Sequence, residues 1–212
     1  MKIRWHGHAC FEISNDNTVV TDPHDGKSIG IAPPVVKADI VLVSHDHFDH
    51  NCVRIVKGEN IKVMNAPGSK KIGDVQVTGI SSYHDEVKGM KRGKNIIFKF
   101  VLDDVIFCHL GDLGHAPDEE ILEKIGKVDV LFVPVGETFT IDAKTAYDIV
   151  EKIMPKVAVP MHYRIGGLSL SIQGPESFLK KAKGININRV GNEMDFEKED
   201  LPNETEIWFF SL

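Results

Sequence analysis

The chain has 212 residues, 42% hydrophobic and 26% charged, a composition that suits one globular domain spanning 1–212 and argues against disorder. Its 31 acidic residues outnumber 25 basic ones, and the net charge of -6 disfavours a general nucleic-acid binder, which needs a basic face to neutralise phosphates. No apolar run is long enough to span a bilayer and no signal-like apolar segment follows Met1-Lys2, so the expectation is a cytoplasmic protein without a membrane partner.

In chain order, short β-rich runs come first. Strands are expected at 2–6, 9–14, 18–21, 40–44, 61–64, 75–80, 96–102 and 105–109, with Asn15-Asp16-Asn17 and Asp103-Asp104 as hairpin turns. Helices then alternate with single strands. A helix over 117–125 opens on proline and acidic residues, and strand 128–133 follows. A helix over 140–153 takes Asp142 as its cap and places Ala146, Ile149, Val150 and Ile153 on one face, followed by strand 157–160. A third helix over 175–183 runs to Gly184, and strands 187–190 and 206–210 close the chain. This order suggests sheets packed face to face with helices outside. Cys10, Cys52 and Cys108, odd in number and in no paired spacing, read as reduced, buried thiols.

The chemistry concentrates after the apolar run 39–44, in His45-Asp46-His47-Phe48-Asp49-His50. Three imidazoles and two carboxylates in six residues are costly to bury unless something pairs them, and these are ligand types that zinc and its neighbours accept. In an extended stretch His45, His47 and Asp49 would share one side, with His50 brought round by a turn. Further polar residues stand where other β runs stop: His84, Asp112 and His162.

The succession HxHxDH, a later His, Gly111-Asp112 and Pro160-Met161-His162 resembles the metallo-β-lactamase-fold superfamily. Within it, the chain is similar to the small cytosolic metal-dependent hydrolases that include ascorbate-6-phosphate lactonase-like proteins. Trp5-His6-Gly7-His8, Thr21-Asp22-Pro23 and Gly111-Asp112-Leu113-Gly114-His115 extend the likeness along nearly the whole chain. The resemblance implies a four-layer αββα sandwich and two divalent metal ions, zinc ahead of manganese. It also implies a ligand set: His45, His47 and His84 for one ion, Asp49, His50 and His162 for the other, with Asp112 between them. Three imidazoles leave one position of the first ion open for a water, as a catalytic site requires. Hydrolysis by a hydroxide shared between the ions, with Asp49 orienting it, is then the expected chemistry.

Departures narrow the choice. His47 stands where di-iron relatives have Glu, and Asp112 where lactam-cleaving members commonly have Cys. Glu137 replaces one glycine of a pair; facing the pocket, it would repel anions.

Around the metals, His115 is a candidate general acid or a hydrogen-bonding support, and Asp22 either orients an imidazole or stabilises a turn. One of His6 and His8 is expected at the site edge, whereas His24 and His109 are read as structural. The basic loop 85–94 reads either as a solvated loop or as an anion-binding flap with Arg92 as its grip. The leading substrate is a small ester or lactone, with a phosphorylated one included and an anionic one expected if Arg92 binds it; a phosphodiesterase or RNase-like hydrolase and a metal-binding protein without turnover are the rivals. A homo-oligomer is neither required nor excluded.

Overall fold

The computed structural model describes residues 1–212. A six-stranded sheet runs in the order β13-β1-β2-β3-β4-β5, from β1 (Lys2–Trp5), β2 (Phe11–Ser14), β3 (Thr18–Thr21), β4 (Ile40–Leu42), β5 (Lys62–Met64) and β13 (Glu193–Asp195). An eight-stranded sheet runs β12-β14-β11-β10-β9-β8-β7-β6. Its strands are β6 (Gly68–Ile72), β7 (Val75–Tyr83), β8 (Lys94–Leu102), β9 (Val105–His109), β10 (Val130–Pro134), β11 (Val157–Met161), β12 (Asn186–Arg189) and β14 (Glu206–Phe209).

The sheets face each other across one apolar core. β1 and β2 alternate buried and half-buried residues, sending Ile3, Trp5, Phe11 and Ile13 inward to meet Phe98, Phe100, Phe107 and Phe132 of the larger sheet. Phe11 and Phe132 touch, their ring centroids 4.5 Å apart. β10 and β11 are buried at every position, as expected for parallel strands covered on both faces.

The three helices, α1 (Glu119–Ile125), α2 (Ala143–Ile153) and α3 (Glu176–Lys181), all belong to the larger sheet: α1 packs on β7, α2 on β10 and α3 on α2. α1 and α2 begin where Asp118 and Asp142 accept backbone N–H bonds from Ile121 and Thr145. α3 stops at Lys181, short of Gly184. On the outside of the smaller sheet no α-helix forms. Loops and short 3-10 turns at Lys27–Ile29 and Val53–Ile55 flank a second apolar cluster of Cys10, Val20, Val36, Ala38, Val41, Val43 and Val56. The fourth layer of the sandwich is therefore irregular, because 27–57 lacks the periodic apolar spacing of a helix.

Both hairpin turns form as read. Asp103 and Asp104 adopt φ of 48° and 60°, the left-handed pair that a two-residue hairpin needs. β6 and β13 were not expected from the sequence. Both are polar, largely exposed strands at sheet edges, so neither carries an apolar alternation to read.

Topology selects one rim. β1 is antiparallel to β2 and β2 to β3, so β1 runs with β3 and with β4, their parallel neighbour. In the other sheet β7, β9, β10 and β11 likewise share a direction. The carboxyl ends of β1, β4, β7, β9 and β11 lead to His8, His45–His50, His84, Asp112 and His162 in turn. Such strand ends are where α/β sheets place their sites.

Candidate metal centre

After β4 the chain turns inside the HxHxDH segment, with His50 and Asn51 N–H both donating to the His47 carbonyl. The turn supplies His45, Asp49 and His50 buried and His47 half-buried. Asp112 stands at the centre. Its Oδ2 lies 3.1 Å from His162 Nε2, 3.3 Å from His50 Nε2, 3.3 Å from His84 Nε2 and 3.8 Å from His45 Nε2. Asp49 Oδ2 lies 3.5 Å from His50 Nε2 and 3.0 Å from His8 Nε2. His45, His47 and His84 form one set of ligand atoms within 4.8 Å of one another; His8, Asp49, His50 and His162 form a second.

These side chains are held from behind. Ser44 N–H and Oγ–H donate to the two oxygens of Asp22 at 2.7 Å each, and His50 Nδ1–H donates to Asp22 Oδ2 at 3.1 Å. With its hydroxyl proton given to Asp22, Ser44 Oγ accepts from His45 Nδ1–H at 2.8 Å. Each ring, when neutral, therefore carries its proton on Nδ1 and presents an Nε2 lone pair inward. Asp112 is placed by its own N–H, which donates to Asn95 Oδ1 at 3.0 Å, while Asn95 donates to Leu110 O and Ser82 Oγ. Gly111 makes this approach: a Cβ there would meet Asn95 Oδ1 at 2.4 Å. His162 and His8 are both non-glycine residues at positive φ, 53° and 56°, a strain of about 1–3 kcal/mol each that persists where surrounding structure enforces it.

Electrostatics fit a cation. Burial pushes His45 down to about 3, so its imidazole is neutral, the form that ligates. Burial opposes ionisation of Asp49 and Asp112, yet the surrounding imidazoles outweigh it and hold both carboxyls well below the usual range. His50 is driven the other way: burial disfavours its charge, but the carboxylates around it, Asp112 first, raise it well above an ordinary histidine. An added divalent ion would take over that compensation.

His45 Nε2 and Asp112 Oδ1 are buried with no hydrogen-bond partner. Orphaned polar atoms are costly, and these belong to two residues of the cluster, where an ion would supply a partner. Ligand atoms about 2.0–2.1 Å from a common zinc lie roughly 3.0–3.4 Å apart, the spacing seen at most of these contacts. The residues present fit a multi-ligand metal centre.

Two cavities open onto it. One of about 320 Å³ is lined by His47, Asp49, His84, Asp112, His162 and the apolar Phe48, Phe139 and Leu170, with Lys91 and Arg92. The other, of about 610 Å³, is lined by Ser44, His45, Asn65, Tyr83, Lys94 and Asn95 among others. They share His47 and Arg92. Arg92 lies over the Phe139 ring, 5.3 Å from its centroid. The loop carrying it is pinned from within: Asp85 accepts N–H bonds from Val87, Gly89, Lys91 and Arg92.

The structure sorts the remaining histidines. His6 pairs with Glu12, whereas His8 is fully buried with Nε2 at the metal centre. His24 binds the His6 carbonyl and His109 the Ala9 carbonyl, so both brace the loop that carries His8. His115 is not brought to either cavity: its Nδ1 contacts Ala116 O and its Nε2 accepts from Tyr83 N–H. Glu137 also lines neither cavity, and at φ 62° it holds the left-handed conformation a glycine would take freely.

A fold of two facing sheets, with histidines and aspartates gathered at one rim, defines a class of metal-dependent enzyme. The chain belongs to the β-lactamase superfamily, whose family model, described as "Beta-lactamase superfamily domain", matches residues 2–162. Within it, the chain is 31% identical to a UPF0173 metal-dependent hydrolase of Archaeoglobus fulgidus, over 93% of this chain and all of the other. It is 32% identical to a UPF0173 protein of Pyrococcus furiosus, over 85% of this chain and 90% of that one. Among solved structures it resembles a Thermotoga maritima protein described as a Zn-dependent hydrolase of the metallo-β-lactamase superfamily. That likeness has a TM-score of 0.83 and 36% identity, covering 99% of this chain and 98% of the other. The protein is accordingly a metal-dependent hydrolase. No helix is long and apolar enough to cross a membrane.

Proposed function

We propose that the protein hydrolyses a small carboxylic ester or lactone bearing an anionic group, at a centre that takes two divalent ions, zinc ahead of manganese. The observation that carries the reading is Arg92, which stands where the two cavities meet, beside the proposed ligands, and whose guanidinium is paired with no carboxylate. His45, His47 and His84 would hold one ion, and Asp49, His50 and His162 the other, with Asp112 shared. Bound there, such ions supply Lewis acidity and a water activated at neutral pH.

The chain's own residues supply the rest. Arg92, its guanidinium stacked on Phe139, binds the anionic substituent and fixes the direction from which the ester enters. Lys94 adds positive charge to the larger cavity, Lys91 is paired with Glu86, and Glu137 adds no negative charge to the lining. Phe48, Phe139 and Leu170 cover the acyl portion and exclude bulk water. Asp49, held ionised, orients the attacking water through its carboxylate. His115, engaged at both ring nitrogens, is assigned no proton step.

The test is a hydrolysis panel on metal-loaded protein: lactones, neutral and phosphorylated esters, thioesters, phosphodiesters and short RNA. Asp112→Ala serves as the inactive control. Turnover of anionic esters or lactones, absent in the control, is the expected result. Turnover confined to phosphodiesters or RNA would replace this reading with a nuclease-like one.

A further inference from the structure

His8 lies outside the ligand set that the HxHxDH pattern implies, yet it is built like a member of it. Its side chain is fully buried. Nε2 is 3.0 Å from Asp49 Oδ2 and 3.1 Å from His50 Nε2, both within the spacing of atoms that share one ion. Its Nδ1 has no partner, as is true of His84 and His162, which also turn Nε2 inward. Its ring packs on that of His162 at 4.1 Å between centroids, and its carbonyl accepts the His162 N–H at 3.1 Å. Both residues occupy the left-handed backbone region. The loop around His8 is fastened on every side: Trp5 Nε1–H donates to the His8 carbonyl, and Thr21 Oγ–H and His109 both bind the Ala9 carbonyl.

From this geometry we infer that His8 Nε2 is an additional ligand of the second metal position. The inference rests on the two-ion reading above. That position then receives five protein atoms, from His8, Asp49, His50, His162 and the shared Asp112. The first receives four, from His45, His47, His84 and Asp112. The asymmetry matches the cavities. Ligands of both positions line the 320 Å³ cavity, His47 and His84 of the first and Asp49 and His162 of the second, but only the second is backed by residues that line neither cavity, His8 and His50. With one ligand more, and two of its ligands behind the centre, the second position is the more tightly held and fills first, while the first keeps its open coordination toward substrate.

The experiment is a Co²⁺ titration of metal-free protein, followed by visible absorption and by competition with a chelator. His8→Gly is the main variant because glycine accepts the left-handed backbone, and His8→Asn, also tolerant of it, is the second. Circular dichroism confirms that each folds. In the wild type the first equivalent should give the weak absorption of a five-coordinate ion. In both variants that equivalent should bind about tenfold or more weakly and absorb more strongly as the coordination number falls. Added imidazole should reverse the change in His8→Gly.

An unchanged spectrum would overturn the inference whatever happens to affinity, since a histidine that only hydrogen-bonds Asp49 weakens binding without leaving the coordination shell. A wild type that binds one Co²⁺ only would defeat the two-ion reading instead. The variant spectra would still decide whether His8 ligates that ion.

Discussion

At the scale of single residues, the site depends on atoms that fix other atoms. Asp22 touches no open space, but it sets the tautomer of His50 directly and that of His45 through Ser44. Asp22→Asn replaces an acceptor with a group that donates, so metal affinity should fall about 10- to 100-fold, measured by chelator competition, with the fold retained. Arg92 plays the opposite part, facing outward to ligand. Arg92→Ala should raise KM for an anionic ester about tenfold or more, the equivalent of one charged hydrogen bond, and leave a neutral ester nearly unchanged. Equal effects on both substrates would remove Arg92 from recognition. The HxHxDH cluster was legible in the chain because its members are neighbours in sequence. His8 was only half legible, as one of two histidines flanking Gly7, because what separates it from His6 is a backbone turn and a packing partner 154 positions on.

At the scale of elements, the loop between β7 and β8 is organised by one carboxylate. Burial works against ionisation of Asp85, but four backbone N–H donors outweigh it and bring the group to about 2. An unfolded aspartate titrates near ~3.9. Its folded value is lower, so its contribution to stability is complete above about 4 and is lost as pH falls towards 2. Asp85→Asn should therefore lower the melting temperature at pH 7 and differ progressively less from wild type below pH 4. A constant difference across that range would contradict the assignment. Asp142 offers a simpler case: it caps α2, and Asp142→Ala should cost about 1 kcal/mol in denaturant unfolding. The Asp142 cap and both hairpin turns were readable because each is decided within a few residues, whereas the first helix, read as opening on Pro117, begins after the Asp118 cap. The edge strands β6 and β13 were not readable, since backbone pairing defines them and only Ile72 and Met194 among their side chains reach the core.

At the scale of the whole molecule, the centre joins the two sheets: His8, Asp49 and His50 come from one and His84, Asp112 and His162 from the other. Metal should therefore act as a clasp on the sandwich as well as a cofactor. Removing it with a chelator should lower stability by about 4 kcal/mol when free metal had been a thousandfold above Kd, read as a drop in melting temperature that metal restores. The thiols report on core integrity. Burial raises Cys10, Cys52 and Cys108, Cys108 to about 12, so all three stay protonated near neutral pH. A thiol reagent should modify them slowly in the native protein and rapidly after denaturation.

The sequence by itself determined what is local or periodic: the order of the helices and of the apolar strands, the Asp142 cap, the hairpin turns and the dense cluster after β4. It also carried the kinds of ligand, because imidazole and carboxylate chemistry belongs to the residue and not to its surroundings. Only the tertiary structure decided which histidines meet. It brought His8 rather than His6 to the centre, tied His115 to the backbone of Tyr83 and Ala116, left His115 and Glu137 outside the lining of both cavities and set Arg92 between them. The reason is physical. A ligand set is a statement about distances of a few ångströms between residues far apart in the chain. Those distances follow from strand direction, sheet pairing and the packing of two apolar faces, none of which a single segment contains.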